Sequence, residues 1–212
     1  MIKNLLHSPR RLGLFILALV VVAAPVAQAT NLKKQNLTQL ISQSQTILAG
    51  GVTKVTDGFD ENGLPYTQVT ITVSSAAKGG LKDGDEYTFR QFGLLKPRTM
   101  PNGKRYLVTS PEGFARWNEG ETVVAFMNPP ASRSGLQSTV GLTQGKLVFG
   151  NGKLANEFNN ASLFDGVEIE ASHLSPEEQN MITTPGAVDA QTFMSLVDRA
   201  VSEDWIGTGV MN

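Results

Sequence analysis

The chain is predicted to be mainly β: a small antiparallel barrel with a short helix before it and an amphipathic helix after it. Three observations carry this. Val69, Ile71 and Val73 alternate with Gln68, Thr70, Thr72 and Ser74, the period-two pattern of a strand with one buried and one wet face. Six or seven short segments of strand character follow one another, separated by turns rich in Gly, Asn and Pro. A clean helical period comes only near the end, at Phe193, Leu196, Val197, Ala200 and Val201. Short strands in series between terminal helices suit an open barrel of the OB type, with the last helix plugging one end.

The first 29 of the 212 residues read as an export signal. Lys3, Arg10 and Arg11 make a basic start, residues 12–24 carry no charge, and Ala27-Gln28-Ala29 is a small-residue cleavage sequence. Thirteen residues at helical rise cover about 20 Å, short of a roughly 30 Å hydrocarbon core, so no stable membrane span is expected after cleavage. Residues 30–212 are then expected to be a single exported domain, in the periplasm or outside the cell.

Within that domain Asn36 is placed to cap a first helix, with Gln39 three residues on in capping-box spacing. Leu37, Leu40, Ile41 and Leu48 fall on one helical face, and the helix is expected to stop before Gly50-Gly51. Residues 46–56 are rich in β-branched side chains, and the glycine pair marks a bulge or a close backbone approach. Residues 57–63 are turn chemistry, so the flanking strands should pair as a long antiparallel hairpin. A third strand covers Glu86–Phe92. Residues 93–119 hold three Gly, three Pro and one short candidate strand at 106–109, and loops of this length tend to carry function.

Thr122–Met127 is a further strand, stopped by Asn128-Pro129-Pro130. Strands at 139–143 and 146–149 follow, then Asn151-Gly152, a hairpin signal, before a last strand at 153–155. Ser175-Pro176-Glu177-Glu178 opens a short helix with a cap, a proline at N1 and a glutamate at N3. Asp189 caps the final helix, with Val188 and Phe193 as its hydrophobic staple. Residues 206–212 are expected to trail as a loose tail.

Composition narrows the chemistry. There is no cysteine, which excludes disulfides, zinc thiolates and thiol nucleophiles. His7 falls in the signal, leaving His173 alone and excluding any multi-histidine site. With Lys3, Arg10 and Arg11 removed from 18 basic residues and all 19 acids kept, the net charge is −4. That balance argues against general electrostatic binding of nucleic acid or membrane surfaces.

Several motifs invite a catalytic reading and fall short of it. Ser75-Ala76-Ala77-Lys78 matches S-x-x-K, yet it follows a strand, precedes two glycines and has no S-D-N or K-T-G partner. His173 has no nucleophile elbow and is expected on the surface. Glu119/Glu121 and Glu168/Glu170 are i, i+2 pairs expected to face solvent, where glycoside hydrolysis needs two acids across a cleft. Asp57, Asp60 and Glu61 cluster oxygen ligands of the kind calcium takes, without EF-hand spacing, and no other cofactor is indicated.

The stronger local signal is basic. Arg90, Lys96, Arg98, Lys104, Arg105, Arg116 and Arg133 are opposed only by Glu112, Glu119 and Glu121, and Phe92, Tyr106, Phe114 and Trp117 are interleaved with them. Arginine beside aromatic residues is the composition of recognition surfaces. Arg90, Lys96, Arg98, Lys104, Arg105, Arg116, Trp117 and Arg133 are therefore the candidate partner-binding residues.

The order of segments also resembles a widespread group of uncharacterised exported bacterial proteins. The residues that carry this are Ile47-Leu48-Ala49-Gly50-Gly51-Val52-Thr53-Lys54-Val55, the Thr/Val strand running to Lys78-Gly79, Gly120-Glu121-Thr122-Val123-Val124-Ala125-Phe126, Gly141-Leu142-Thr143-Gln144-Gly145-Lys146 and the final helix. The resemblance implies an OB-like barrel and no particular activity. The expectation is thus a non-enzymatic binding or structural module of the envelope or extracellular space, with an anionic glycan, a peptide or an envelope protein as partner and no nucleic acid. The alternative is a hydrolase of envelope or extracellular polymer using Asp/Glu acid–base chemistry.

Overall fold

Two fourteen-residue strands dominate the computed structural model, which describes residues 33–100, 102–107 and 109–212. The expected export signal lies outside the described residues. β1 (Thr46–Phe59) and β2 (Pro65–Lys78) form the predicted hairpin, and β3 (Glu86–Phe92) pairs antiparallel with β2. β4 (Arg98–Thr99) and β5 (Arg105–Tyr106) make a separate two-residue ribbon inside the long loop. β6 (Thr122–Met127), β7 (Lys146–Gly150), β8 (Lys153–Ala155) and β9 (Val188–Asp189) complete an antiparallel sheet of order β3-β2-β1-β6-β7-β8-β9.

β1 is the bent spine of this sheet. Its first six residues, Thr46 to Gly51, pair with β6 on one side while Ile47 to Phe59 pair with β2 on the other. The β1–β2 register shifts at three points, with an extra residue in β2 at Ala77 and Ser74 and in β1 at Thr53, irregularities of the kind that bend strands and sharpen their twist. Gly50 sits at one of them because a Cβ there would stand 2.3 Å from the Thr72 carbonyl oxygen. The sheet is open: β3 and β9 are its edges, and no pairing closes it among the described residues. Its far side tapers to three residues in β8 and two in β9, while the free edge of β3 is met by the segment after β6, where the Gln137 N–H donates to the Arg90 carbonyl and Thr139 bridges Met127.

Period-two alternation gives the sheet two cores. Ile47, Val124, Phe126, Leu147 and Leu154 face the helices, where Phe193, Leu196 and Val197 cover them. Leu48, Val69, Ile71, Phe89 and Val123 face the other way and are closed over by Ala115 and Trp117 of the long loop. The helices are α1 (Leu37–Gln43), α2 (Pro176–Thr183), α3 (Ala190–Ser202) and α4 (Trp205–Thr208). Both expected capping boxes are present, at Asn36/Gln39 and Ser175/Glu178, and the Asp189 side chain accepts from the Thr192 N–H.

Four expectations need correction. α1 ends at Gln43, because Leu48 is needed in β1 and the Ser44 hydroxyl turns back to the Leu40 carbonyl. Residues 139–143 are not a strand: Thr139 makes one bridge to Met127, and positive φ at Gly141 and Leu142 opens a 3-10 turn over Leu142–Gly145. The candidate strand at 106–109 is instead Arg105–Tyr106, with Thr109 bridging to Leu94. The last residues are docked rather than loose, since Met211 is fully buried and bridges Ile169.

Candidate functional site

The basic residues are spread over four places rather than one. Arg90 stands on the outer face of β3, its guanidinium 4.2 Å over the Tyr66 ring and its Nε donating to Gln68 Oε1 at 2.9 Å. Lys96, Arg98, Lys104 and Arg105 are exposed on the β4–β5 ribbon and its approaches, and Arg133 is exposed on the turn after Pro129-Pro130. Arg116 lies in the long loop beside Trp117. Of this set only Arg98 is ion-paired among the described residues; Lys96, Lys104, Arg105, Arg116 and Arg133 are not.

Two sequence-level assignments change. Trp117 is 5 % exposed and offers no face to a partner. Phe89 meets it edge-on at 5.2 Å, Lys146 Nζ lies 4.9 Å over its ring, and its indole N–H points to Gln91 Oε1. Asp57 and Asp60 spend their oxygens on the protein. Asp57 accepts from Arg98 and from the Leu95 N–H at 2.9 Å, pinning the basic ribbon to β1, and Asp60 Oδ1 accepts from the Asn62 and Leu64 N–H groups. Among the described residues these acids do not gather into a metal-binding group.

A charged cluster emerges that sequence reasoning missed. Lys146, at the start of β7, turns inward with its side chain 6 % exposed, and its Nζ donates to Glu121 Oε2 and to the Arg116 carbonyl, both at 2.5 Å. Burial pushes the Glu121 carboxyl up, but hydrogen bonds from Lys146 and Asn118 outweigh it and hold the group below its ordinary value. Glu157 sits in the same cleft of about 310 Å³, accepting from the Thr143 hydroxyl. Arg116 and Asn118 also line a neighbouring polar cleft of about 360 Å³. An isolated lysine opening an apolar strand carries no mark of facing inward; the pairing shows only once β6 and β7 are side by side. The neighbouring acid of the expected solvent pair, Glu119, is engaged too, accepting from the Val55 N–H.

The third opening is an apolar groove of about 440 Å³ between the end of β3, Phe114 and the turn that carries Arg133. Phe92, Phe114, Pro129 and Leu136 supply its surface, and strand alternation puts Phe92 on the same face of β3 as Arg90.

The remaining candidates are structural. Ser75 and Lys78 lie in β2, where the Lys78 ammonium donates to the Ile41 carbonyl at the end of α1. His173 is at the surface, as expected, with its side chain about one-third exposed beside Glu170, its ring edge-on to Trp205 at 5.7 Å and its carbonyl accepting from Arg199. Arg199 also pairs with buried Glu178. Asp198 has its carboxyl raised by burial but lies on α3, not in these clefts. No protein family, curated protein or solved structure matches the chain.

Proposed function

We propose that this chain is an exported, non-enzymatic binding module of the cell envelope or extracellular space, recognising an anionic partner through the Arg90–Arg133 region. The observation that carries this is the state of its cations: Arg90 is held in place by Tyr66 and Gln68 with its terminal nitrogens uncommitted, and five further cations in the region lack carboxylate partners among the described residues. Guanidinium groups fixed on an aromatic face lose little freedom on meeting an anion. The anion is carried by a glycan, a peptide or an envelope protein. The architecture fits an OB-like barrel, since the three register shifts of the β1–β2 hairpin coil the sheet in the sense that closure requires.

Retention on immobilised heparin, a sulfated glycan, tests the reading. The wild-type chain should elute at distinctly higher salt than a variant with Arg90, Lys96, Lys104 and Arg105 changed to serine, at unchanged Tm. Equal elution, or no retention of either, would refute it.

The hydrolase reading is second. It is favoured by Glu121 and Glu157 lining one cleft, and weakened because Glu121 is held ionised where a general acid must keep its proton. It requires turnover of an envelope polymer that Glu121→Gln abolishes without loss of stability.

A further inference from the structure

The two polar clefts that meet at Arg116 select among the anions of that region. We infer that they bind an acidic oligosaccharide, with a ring carboxylate on the Arg116 guanidinium and sugar hydroxyls in the clefts on either side. This rests on the binding-module reading and picks the glycan from its three carriers.

Arg116 is held from both sides by its neighbours in the chain. Ala115 and Trp117 are buried, while Arg116 and Asn118 are exposed. The Gln91 side chain fastens both buried neighbours: Nε2 donates to the Ala115 carbonyl at 3.0 Å, and Oε1 faces the Trp117 indole N–H. Lys146 Nζ donates to the carbonyl of Arg116 itself. The backbone that carries the guanidinium is thus fixed at three successive residues, so a ligand has little of it left to order. The guanidinium pairs with no carboxylate among the described residues, and its planar fork suits a carboxylate bidentately.

Arg116 and Asn118 line both clefts, of about 360 and 310 Å³, so this segment is a ridge between two openings. Each is at the lower end of the roughly 300–1,000 Å³ typical of ligand sites, and a chain of small units can lie across the ridge with a unit in each. The lining decides the class of ligand. On one side Thr109 and Ser110 bring hydroxyls, and half-exposed Leu95 gives the C–H face of a sugar ring an apolar wall. On the other, Glu157 accepts from the Thr143 hydroxyl through Oε2, which leaves Oε1 as an acceptor. Asn118 spends its Nδ2 on Glu121, which leaves its Oδ1 as another. One cation among acceptors and hydroxyls calls for a ligand with one anion and several O–H donors, and a uronic acid unit in a sugar chain supplies both. An acidic peptide brings more carboxylates than the single guanidinium matches, and Glu157 repels the surplus. A folded protein surface does not enter clefts of this size.

The test is calorimetric titration with tetragalacturonate at physiological salt, where charges more than about 8 Å apart are screened. Maltotetraose serves as a neutral oligosaccharide and tetraglutamate as an acidic peptide, with heparin retention measured on the same samples. Tetragalacturonate should bind the wild-type chain, and at least about tenfold more weakly after Arg116→Gln, which removes a charge-assisted bond. Arg116 is exposed and the substitution keeps the carbonyl that Lys146 bonds, so Tm should not change. Maltotetraose and tetraglutamate should each bind at least about tenfold more weakly than tetragalacturonate. The variant with Arg90, Lys96, Lys104 and Arg105 changed to serine keeps Arg116 and should bind tetragalacturonate as the wild type does. A flat titration, an affinity indifferent to Arg116→Gln, equal binding of either control, or loss of binding in the four-residue variant would each overturn the inference. Heparin retention that falls in the four-residue variant, without tetragalacturonate binding, would overturn it while leaving the binding-module reading intact; loss of both would overturn both.

Discussion

Lys146→Met is the substitution that most directly tests how the central sheet is held together. Methionine keeps the length and apolar contacts of the side chain and removes only the ammonium. Two bonds go with it, one to the Glu121 carboxylate and one to the Arg116 carbonyl, each at 2.5 Å. A hydrogen bond to a charged group is worth about 1.5–3 kcal/mol and a neutral one about 1, while relieving a desolvated amine returns part of this. Glu121 keeps Asn118 as partner and some contact with water, so the expected loss is about 3 kcal/mol. For a domain of this size that lowers Tm by roughly 6–12 °C in a calorimetric scan near neutral pH. The pH dependence follows from Glu121. Its carboxyl is held below the ordinary value in the folded chain, so its stabilising contribution is present above the unfolded carboxylate pKa and is lost as pH falls through the folded one. The gap between wild type and Lys146→Met should therefore be widest above the carboxylate range and narrow under acid. Adding Glu121→Gln to Lys146→Met should cost much less than the sum of the single changes, because the orphaned carboxylate is then gone. A Lys146→Met chain as stable as wild type, with a gap independent of pH, would show that the pair does not fasten β6 to β7.

Phe193→Ala should be severe, by about 3–5 kcal/mol in denaturant melts, since Phe193 is fully buried and meets Phe126 edge-on at the centre of the helix-facing core. Gly50→Val should unfold the chain or shift the β1–β2 register, because its Cβ would overlap the Thr72 carbonyl; amide exchange along β2 would report the change. Ser175→Ala should cost about 1 kcal/mol through loss of the α2 cap. Asp57→Ala should release the basic ribbon while sparing the core, so amide exchange of Leu95 and its neighbours should accelerate with little change in Tm.

What the sequence made legible was local. β1, β2, β3 and β6 follow from alternation bounded by turn residues, and Asn151-Gly152 adopts the paired positive φ that makes it a hairpin. The helix starts at Asn36, Ser175 and Asp189 were readable because a cap is a contact between near neighbours. What failed was long-range. The far edge of the sheet is β9, two residues with no periodic pattern of their own. Trp117 and Arg116 are adjacent in the chain, and nothing in the composition of their loop says that one caps a core while the other faces a cleft. Lys146 was invisible for the same reason: an inward lysine is explained only by the glutamate and carbonyl that meet it from elsewhere in the chain.

The distribution of satisfied and uncommitted polar groups is the basis of the proposed binding role. Among the described residues, no buried side-chain nitrogen or oxygen lacks a hydrogen-bond partner. The inward-facing charges are matched in place: Lys146 by Glu121, Glu178 by Arg199, Asp57 by Arg98. A catalytic centre keeps some group poised, with a proton to give or an electron pair to share, and commonly carries strain or unmet polarity for it. In this fold the uncommitted polar capacity lies instead at the surface, and its best-held member is a guanidinium fixed by an aromatic ring and an amide. Such a group can orient an anion without transferring anything to it, since arginine neither gives nor takes a proton at physiological pH. Next to it stand the Tyr66 ring and the Gln68 amide, which hold the guanidinium in place. What Arg90 itself offers is a fixed positive charge, the feature on which the proposed binding role rests.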